Sequence, residues 1–463
     1  MTPIECDVAV IGAGTAGLAA ERHARKAGAR TVIIDPAFRG TTCAAVGCMP
    51  SKVLIQSGEV AHAARTAEDF GILANPQVDG RAVMQRVRRL RDHFVNGVKE
   101  GFEDIPMKLM GKACFTSATT LTLDTGQEVR AKAIVIATGS SPLVPEAYQT
   151  LGSVAMTTDT VFEMEDLPKS LAVIGGGPVG TELAQAFARL GVKVALFDEG
   201  GSVAGLKGSE AQRMVDLLRA EMDVHLDVSP RPRPEGDAAV IEWEAGAFHA
   251  EKVLVAVGRP PNLKALNLEA TGLELNDHGV PIYDRDTMQC GNSSIFIAGD
   301  ADHDRPLLHE ATAEGTIAGA NAASYPEVQK AQQKVPLAIT FTHPNVAAVG
   351  KVPEGAKTVI GHADYSDQGR ARIEGRNAGF VRLEADDTGR ILAATLCIPE
   401  AEHIGHYFAL AIGAGMTAAD LLNQPIYHPT LEEGLRAALA EICEGCRISA
   451  PWDRRSGRQP GDA

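Results

Sequence analysis

The sequence predicts an α/β protein with two Rossmann-like dinucleotide-binding units followed by a C-terminal segment of α+β character. Three observations carry this. The stretch "DVAVIGAGTAGLAAERHARKAGARTVIID", Asp7 to Asp35, reads as a buried strand, a glycine turn, an alanine-rich helix and a second strand. "SLAVIGGGPVGTELAQAFARLGVKVALFD", Ser170 to Asp198, repeats that order. From about Pro336 onward, strands and helices continue without a glycine fingerprint.

Each part of the repeated unit has a physical reason. Gly12 and Gly175 permit the tight turn out of the strand. Gly14 and Gly177 let the backbone approach a pyrophosphate, and Gly17 and Gly180 let the helix pack closely on the strand. The helix N-terminus offers free N–H groups to phosphate. Asp35 and Asp198, at the same offset from the first glycine, are placed to accept hydrogen bonds from a ribose. One GxGxxG is a weak signal, because glycine turns also occur for purely structural reasons. Two, each with strand, helix and acid in place, predict two bound dinucleotides.

Between the units, residues 53–103 read as helical, with the arginines of "MQRVRRLRDHF" on an exposed face. "AIVIATGSSP" (133–142) and "KVLVAVGRPPN" (252–262) read as apolar strands ending in turns at Gly139 and Gly258. "PRPRPEG" (230–236) reads as a rigid connector that cannot be a central strand. "SSIFIAGDA" (293–301) is a further strand ending on Gly-Asp.

Composition narrows the function. At roughly 100–200 residues per domain, 463 residues suggest two to four domains. With 45% hydrophobic and 22% charged residues, the chain has the make-up of an ordinary soluble protein. A net charge of −15 argues against a nucleic-acid partner. The start "MTPIECDVAVIGAG" has no basic region and no long apolar run, and no apolar stretch is long enough to span a bilayer. A cytoplasmic protein with no membrane partner is expected. Eight cysteines in a chain this long are not a disulfide scaffold, so the close pair in "GTTCAAVGCMPSK" is redox-active or metal-binding.

With the two units in this order, "GTTCAAVGCMPSK", "GDADHDRPLLHEA" and "YHPTLEEG" resemble the class I pyridine nucleotide–disulfide oxidoreductases, from about residue 6 to about residue 440. The resemblance implies FAD and NAD as cofactors, no metal, and a homodimer. It implies an FAD-binding domain over 1–145, an NAD-binding domain over 146–265, a return to the FAD domain over 266–335, and a dimerisation domain over 336–463.

It further implies that Cys43 and Cys48 form a redox-active disulfide. Residues five apart in an ideal helix lie about 8–9 Å apart between Cα atoms, and a bridge needs less than about 7 Å. Such a bond demands a distorted first turn, which the small neighbours Ala44, Ala45 and Gly47 permit. A strained disulfide is easier to reduce. By the same resemblance Cys48 lies against the flavin and Cys43 is the exposed interchange thiol. Lys52 sits near the flavin and pairs with Glu182. Asp300 binds the ribityl chain, and the backbone at Leu308 and His309 approaches the ring. Ala113 and Gly139 border the adenine half. His428 takes the substrate proton, as an imidazole does near neutral pH, and Glu433 fixes its tautomer. A lysine on the surface, an acid on a helix and a lone histidine are each common without function; together, in these motifs, they point to catalysis.

Asp198, with no arginine beside it in "VALFDEGG", accepts from a free 2′-hydroxyl and repels a 2′-phosphate, so NAD(H) is expected over NADP(H). Within the family this favours the dihydrolipoamide dehydrogenase type, acting on a lipoyl-bearing protein. An NADH-dependent reductase of another disulfide, a persulfide or a metal ion is the alternative. A redox-sensing or non-catalytic flavoprotein is an alternative of another class. The family pattern is departed from at Thr41, Ala45, Pro178, His343 and Asn345. Cys443 and Cys446 in "EICEGCRIS" read as two packing residues of a last helix, or as an auxiliary dithiol or soft-metal site. Cys6, Cys114, Cys290 and Cys397 stand alone in apolar surroundings and read as packing residues.

Overall fold

Runs of β-branched residues closed by glycine turns become the central strands of two sheets in the computed structural model, which describes residues 2–449. Strand β1 (Ile4–Ile11) lies between β2 (Thr31–Asp35) and the strand Glu128–Ile136, parallel to both. Ile11 stands opposite Ile34 on one side and Ile136 on the other, so all three carboxyl ends open at one edge. Ile295–Ile297 adds parallel to Glu128–Ile136 on the far side, so the chain returns to this nine-stranded sheet after building a second one.

Helix α1 (Thr15–Lys26) covers the first sheet and packs along the helix Leu308–Ser324. The two approach so closely that a Cβ on Gly315 would lie 2.2 Å from the Ala16 carbonyl oxygen, and one on Gly319 2.2 Å from that of Ala20. Only glycine fits at such a crossing.

The second unit is an all-parallel five-stranded sheet in the order Asp223–Leu226, Lys193–Asp198, Ser170–Ile174, Lys252–Val255, Ala155–Met156. A three-stranded antiparallel sheet accompanies it, and here the structure corrects the sequence reading. "PRPRPEG" is not a plain connector: Arg231–Glu235 is a strand, paired on one side with Ala238–Trp243. It is an edge strand, where alternate N–H groups point away from the partner, so Pro232 and Pro234 cost no ladder bonds.

The region 53–103 is also less uniform than expected. Helix α2 (Thr42–Ala45) and helix α3 (Cys48–Arg65) are followed by a short turn and a non-helical stretch, residues 71–79, before α4 (Gly80–Gly101). The α4 arginines are not simply a solvated face. Arg86 donates to the Val53 carbonyl at 3.2 Å, Arg88 donates to the Met164 carbonyl, and Arg91 pairs with Glu163 with its side chain 13% exposed. The cause is that α4 is wedged between α3 and the start of the second unit.

The last segment forms a five-stranded antiparallel sheet, order Leu337–Thr340, Asn345–Gly350, Ile391–Ile398, Phe380–Ala385, Val359–Asp364. Helices Ala401–Gly413 and Leu435–Gly445 pack on it. The architecture is thus two Rossmann-like domains and an α+β C-terminal domain. Among the described residues no helix is long and apolar enough to cross a membrane.

Candidate active site

Cys43 and Cys48 do not share one distorted helix, as the sequence geometry had suggested; they sit on two successive ones. Thr41 caps α2, its hydroxyl accepting from the Ala44 N–H at 3.3 Å. The chain then breaks at Val46 and Gly47, and Cys48 opens α3. Gly47 makes the break tight: a Cβ there would meet the Thr42 carbonyl oxygen at 3.0 Å and the Cys43 Cα at 3.3 Å.

Both cysteines are unbridged in this structure, and each bears on the other's titration. Their proximity leaves the proton on Cys43, whose pKa rises, and holds Cys48 down at about 7; the Lys52 ammonium lowers it further against the opposing effect of burial. The position supports the direction, since the N-terminus of an 18-residue helix favours a thiolate. Cys48 is exposed and Cys43 half-buried, because Cys43 lies on the inner turn between Thr41 and Gly47 while Cys48 begins a helix at its open end.

One turn along α3, Lys52 Nζ is 2.7 Å from Glu182 Oε2, joining the redox helix to the fingerprint helix Pro178–Arg189. Glu182 is buried; its other oxygen accepts from the Phe341 backbone N–H at 2.7 Å, and the Lys52 ammonium lies 4.4 Å from the Phe341 ring centroid. Phe341 follows the first strand of the C-terminal sheet and was invisible to sequence reading, because nothing local marks it.

His428 and Glu433 are brought together. Nδ1 of His428 is 3.0 Å from Oε2 and 3.1 Å from Oε1 of Glu433. Thr430 caps the turn Leu431–Gly434, its N–H donating to Glu433 Oε2 at 3.2 Å, and the fully buried Tyr365 donates to the Leu431 carbonyl at 2.9 Å. The carboxylate is buried and the ring exposed, so the imidazole is held from behind and presented outward. These two residues bond to each other and to Thr430, and to neither cysteine of the same chain.

The dinucleotide cradles match one another. Asp35 accepts from the N–H of Ala13 at 3.0 Å, Ala37 at 2.9 Å and Phe38 at 2.7 Å. Asp198 accepts from Gly176 at 2.7 Å, Gly200 at 2.9 Å and Ser202 at 3.1 Å. In each case one carboxylate oxygen carries a single bond and retains a lone pair for a ribose hydroxyl. Gly14 and Gly177 are the N-caps of their helices, without side-chain caps, and no atom lies within 4 Å of where their Cβ would be. A Cβ on Gly12 or Gly175 would strike a carbonyl of the neighbouring strand end, and one on Gly17 or Gly180 the carbonyl of Gly12 or Gly175. Open space before an uncapped helix end fits a pyrophosphate. The buried Thr138 hydroxyl beside Gly12 has no partner in the protein, which also fits a bound group there.

Asp300 accepts from the Ser140 hydroxyl at 2.6 Å, and Ser140 in turn receives Arg259, whose guanidinium also reaches Thr158 and Asp159. This chain ties the turn after Gly139 to the turn after Gly258. Ser140 and Arg259 were missed; an arginine following a strand-end glycine is the signal that could have found them. Leu308 and His309 form the first turn of Leu308–Ser324, both exposed, and Ala113 is buried in a strand.

Of the remaining cysteines, Cys6, Cys290, Cys397 and Cys443 are buried and Cys114 half-buried. Cys446 is half-buried and its thiol donates to the Asp386 carbonyl at 3.3 Å. Burial raises the pKa of Cys443 to about 11, the setting of an inert packing thiol.

Comparison with known proteins agrees with this arrangement. Residues 6–315 match the family model "pyridine nucleotide-disulphide oxidoreductase", and residues 336–439 its dimerisation domain. The chain is 31% identical to dihydrolipoyl dehydrogenase of Halobacterium salinarum over 93% of its own length and 95% of that protein's. It is 34% identical to a mercuric reductase of Shigella flexneri, over 93% and 80%. In fold it resembles an HOCl-induced flavoprotein disulfide reductase of Escherichia coli in a Cu(II) complex, with TM-score 0.81, 22% identity, and coverage of 95% and 99%. It also resembles LpdA of Mycobacterium tuberculosis, with TM-score 0.80, 22% identity, and coverage of 94% and 99%.

Proposed function

Because the chain belongs to the pyridine nucleotide-disulphide oxidoreductase family, we propose that it is a dihydrolipoyl dehydrogenase: it oxidises protein-bound dihydrolipoamide and reduces NAD⁺. The family uses FAD and NAD(H), and the two cradles fit them. We assign FAD to the unit of Gly12, Gly14, Gly17 and Asp35, with Ala113, Gly139, Asp300, Leu308 and His309. NAD goes to the unit of Gly175, Gly177, Gly180 and Asp198, with Gly258.

The carrying observation is the pair Cys43 and Cys48 with Cys48 as the acidic thiol beside Lys52. In the proposed cycle the two sulfurs enter as a disulfide. His428 takes a proton from the substrate dithiol. The resulting thiolate attacks Cys43 Sγ, the Cys43–Cys48 bond breaks, and Cys48 leaves as the stabilised thiolate. The second substrate thiol then attacks the mixed disulfide, closing the oxidised substrate and releasing Cys43. Two electrons now rest on the cysteine pair. The bound flavin supplies the two-electron relay from this dithiol to NAD⁺. Covering of Cys48 by the isoalloxazine would leave Cys43 to the substrate.

Glu433 orients His428 through Nδ1, leaving Nε2 for the substrate. Since this pair does not meet the cysteines of its own chain, the reading includes a homodimer in which each chain completes the other's site; the dimerisation-domain match supports it. The test is NAD⁺ reduction by dihydrolipoamide. Turnover only in the reverse sense, with NADH and Hg²⁺ or a small disulfide, would favour the second reading, an NADH-dependent reductase, for which the likeness to mercuric reductase speaks.

A further inference from the structure

We propose that Phe341 is a positioning residue for Lys52: its ring and its backbone amide together hold the Lys52–Glu182 pair beside the redox cysteines. The inference rests on the reading above in one respect, that Cys48 is the flavin-facing thiol.

Three contacts meet at this residue. The Phe341 ring face receives the Lys52 ammonium, with Nζ 4.4 Å from the centroid. Glu182 Oε2 holds the same ammonium at 2.7 Å, and Glu182 Oε1 is held at 2.7 Å by the Phe341 N–H. The ion pair is therefore gripped at both ends by one residue of the C-terminal sheet segment. An aromatic face attracts a cation through its quadrupole without neutralising it. A second carboxylate in that place would cancel the charge instead. The ring thus fixes where the ammonium stands while leaving its field available to the neighbouring sulfur.

That field acts on both thiols of the pair, favouring the thiolate of each. The charged and titratable groups that bear on Cys48 are Cys43, Lys52 and Glu182. Cys43 and Lys52 favour the Cys48 thiolate, and Glu182 opposes it. The balance between the last two depends on the ammonium staying put. Lys52 is a long side chain with 34% of its surface open, so without the ring it gains freedom and solvation, and its field at Cys48 is screened.

The test isolates Cys48. In FAD-loaded Cys43→Ser protein one thiol of the pair remains, so the long-wavelength thiolate-to-flavin absorbance titrates with Cys48 alone. Adding Phe341→Leu removes the ring but keeps the amide bond to Glu182. The midpoint of the absorbance is expected to move up by roughly half a unit to one unit, leaving about three- to tenfold less thiolate on the acid side. Phe341→Tyr is expected to restore the original midpoint. In a Lys52→Met background, Phe341→Leu is expected to add nothing, because it acts through the ammonium. If the leucine variant does not fold, Phe341→Met carries the same expectation. An unmoved midpoint, or a shift of the same size without Lys52, overturns the proposal. Absence of any such band in the Cys43→Ser protein at every pH is a different failure: it removes Cys48 from the flavin, and the underlying reading with it.

Discussion

Glu433, a buried carboxylate, receives Nδ1 of the exposed His428 at 3.0 Å and the N–H of Thr430 at 3.2 Å. The acid is fixed by the backbone before it fixes the ring. For the proposed proton transfer, His428→Gln should lower kcat with dihydrolipoamide by about 10²–10⁴-fold, the usual size of a general-base contribution. Glu433→Gln should lower it as well, while leaving NADH oxidation by a small electron acceptor unchanged. Steady-state kinetics with both assays checks this; loss of both activities together would point to a folding defect.

Cys43→Ser and Cys48→Ser should each abolish dithiol oxidation. Both should retain NADH-dependent reduction of a small acceptor, since neither dinucleotide cradle uses these thiols. With Cys48 held at about 7, the thiolate population of the reduced protein should fall as pH drops through that value. A stopped-flow pH series on the reduced protein reads it. Full dithiol turnover by either serine variant would remove the disulfide from the mechanism.

Beneath Asp300 lies a buried carboxyl pair. Asp302 is pushed up to about 6 and Glu314 to about 7, both chiefly by burial, and Arg285 and Tyr283 hydrogen-bond into the pair. Acids with folded pKa values above their unfolded ones bind more protons when folded. Stability is therefore full below about pH 4 as far as these groups go, and declines as pH rises through about 6 to 7. Glu314→Gln should flatten the fall of Tm across that window. An unchanged slope in thermal melts from pH 5 to 8 would contradict the assignment.

Gly315→Ala should drive a methyl into the Ala16 carbonyl, where only backbone could yield. Separating α1 from the helix Leu308–Ser324 should cost at least about 1–3 kcal/mol. Because α1 carries the first fingerprint, weaker FAD retention should accompany the lower Tm. Gel filtration with flavin absorbance measures both.

Asp198→Ser should remove the carboxylate that now accepts three backbone N–H groups, and with it the ribose contact proposed for it. The kcat/KM for NADH should fall by at least tenfold, with NADPH affected less. A wild-type preference for NADPH would refute the nucleotide assignment outright.

The two fingerprints, the paired cysteines and the His–Glu turn were legible because each is local. Gly12 and Asp35 belong to one strand–turn–helix–strand unit, and His428 and Glu433 to one turn. Backbone conformations such as these are dictated by the residues that adopt them. "PRPRPEG" was misread for the opposite reason: proline bars a central strand, but whether a strand lies at an edge depends on what pairs with it. The embedding of the α4 arginines was set in the same way, by segments packed from elsewhere.

The sequence alone determined the two glycine turns with their facing carboxylates and the closely spaced cysteine pair, since glycine, cysteine and carboxylate at fixed short spacings leave the backbone few alternatives. Only the tertiary structure decided which charges stand together. Lys52, Glu182 and Phe341 come from three distant parts of the chain, as do Ser140, Arg259 and Asp300. Their partnership is a product of packing, and the energy of a charge depends on what surrounds it in space and not on what precedes it in the chain.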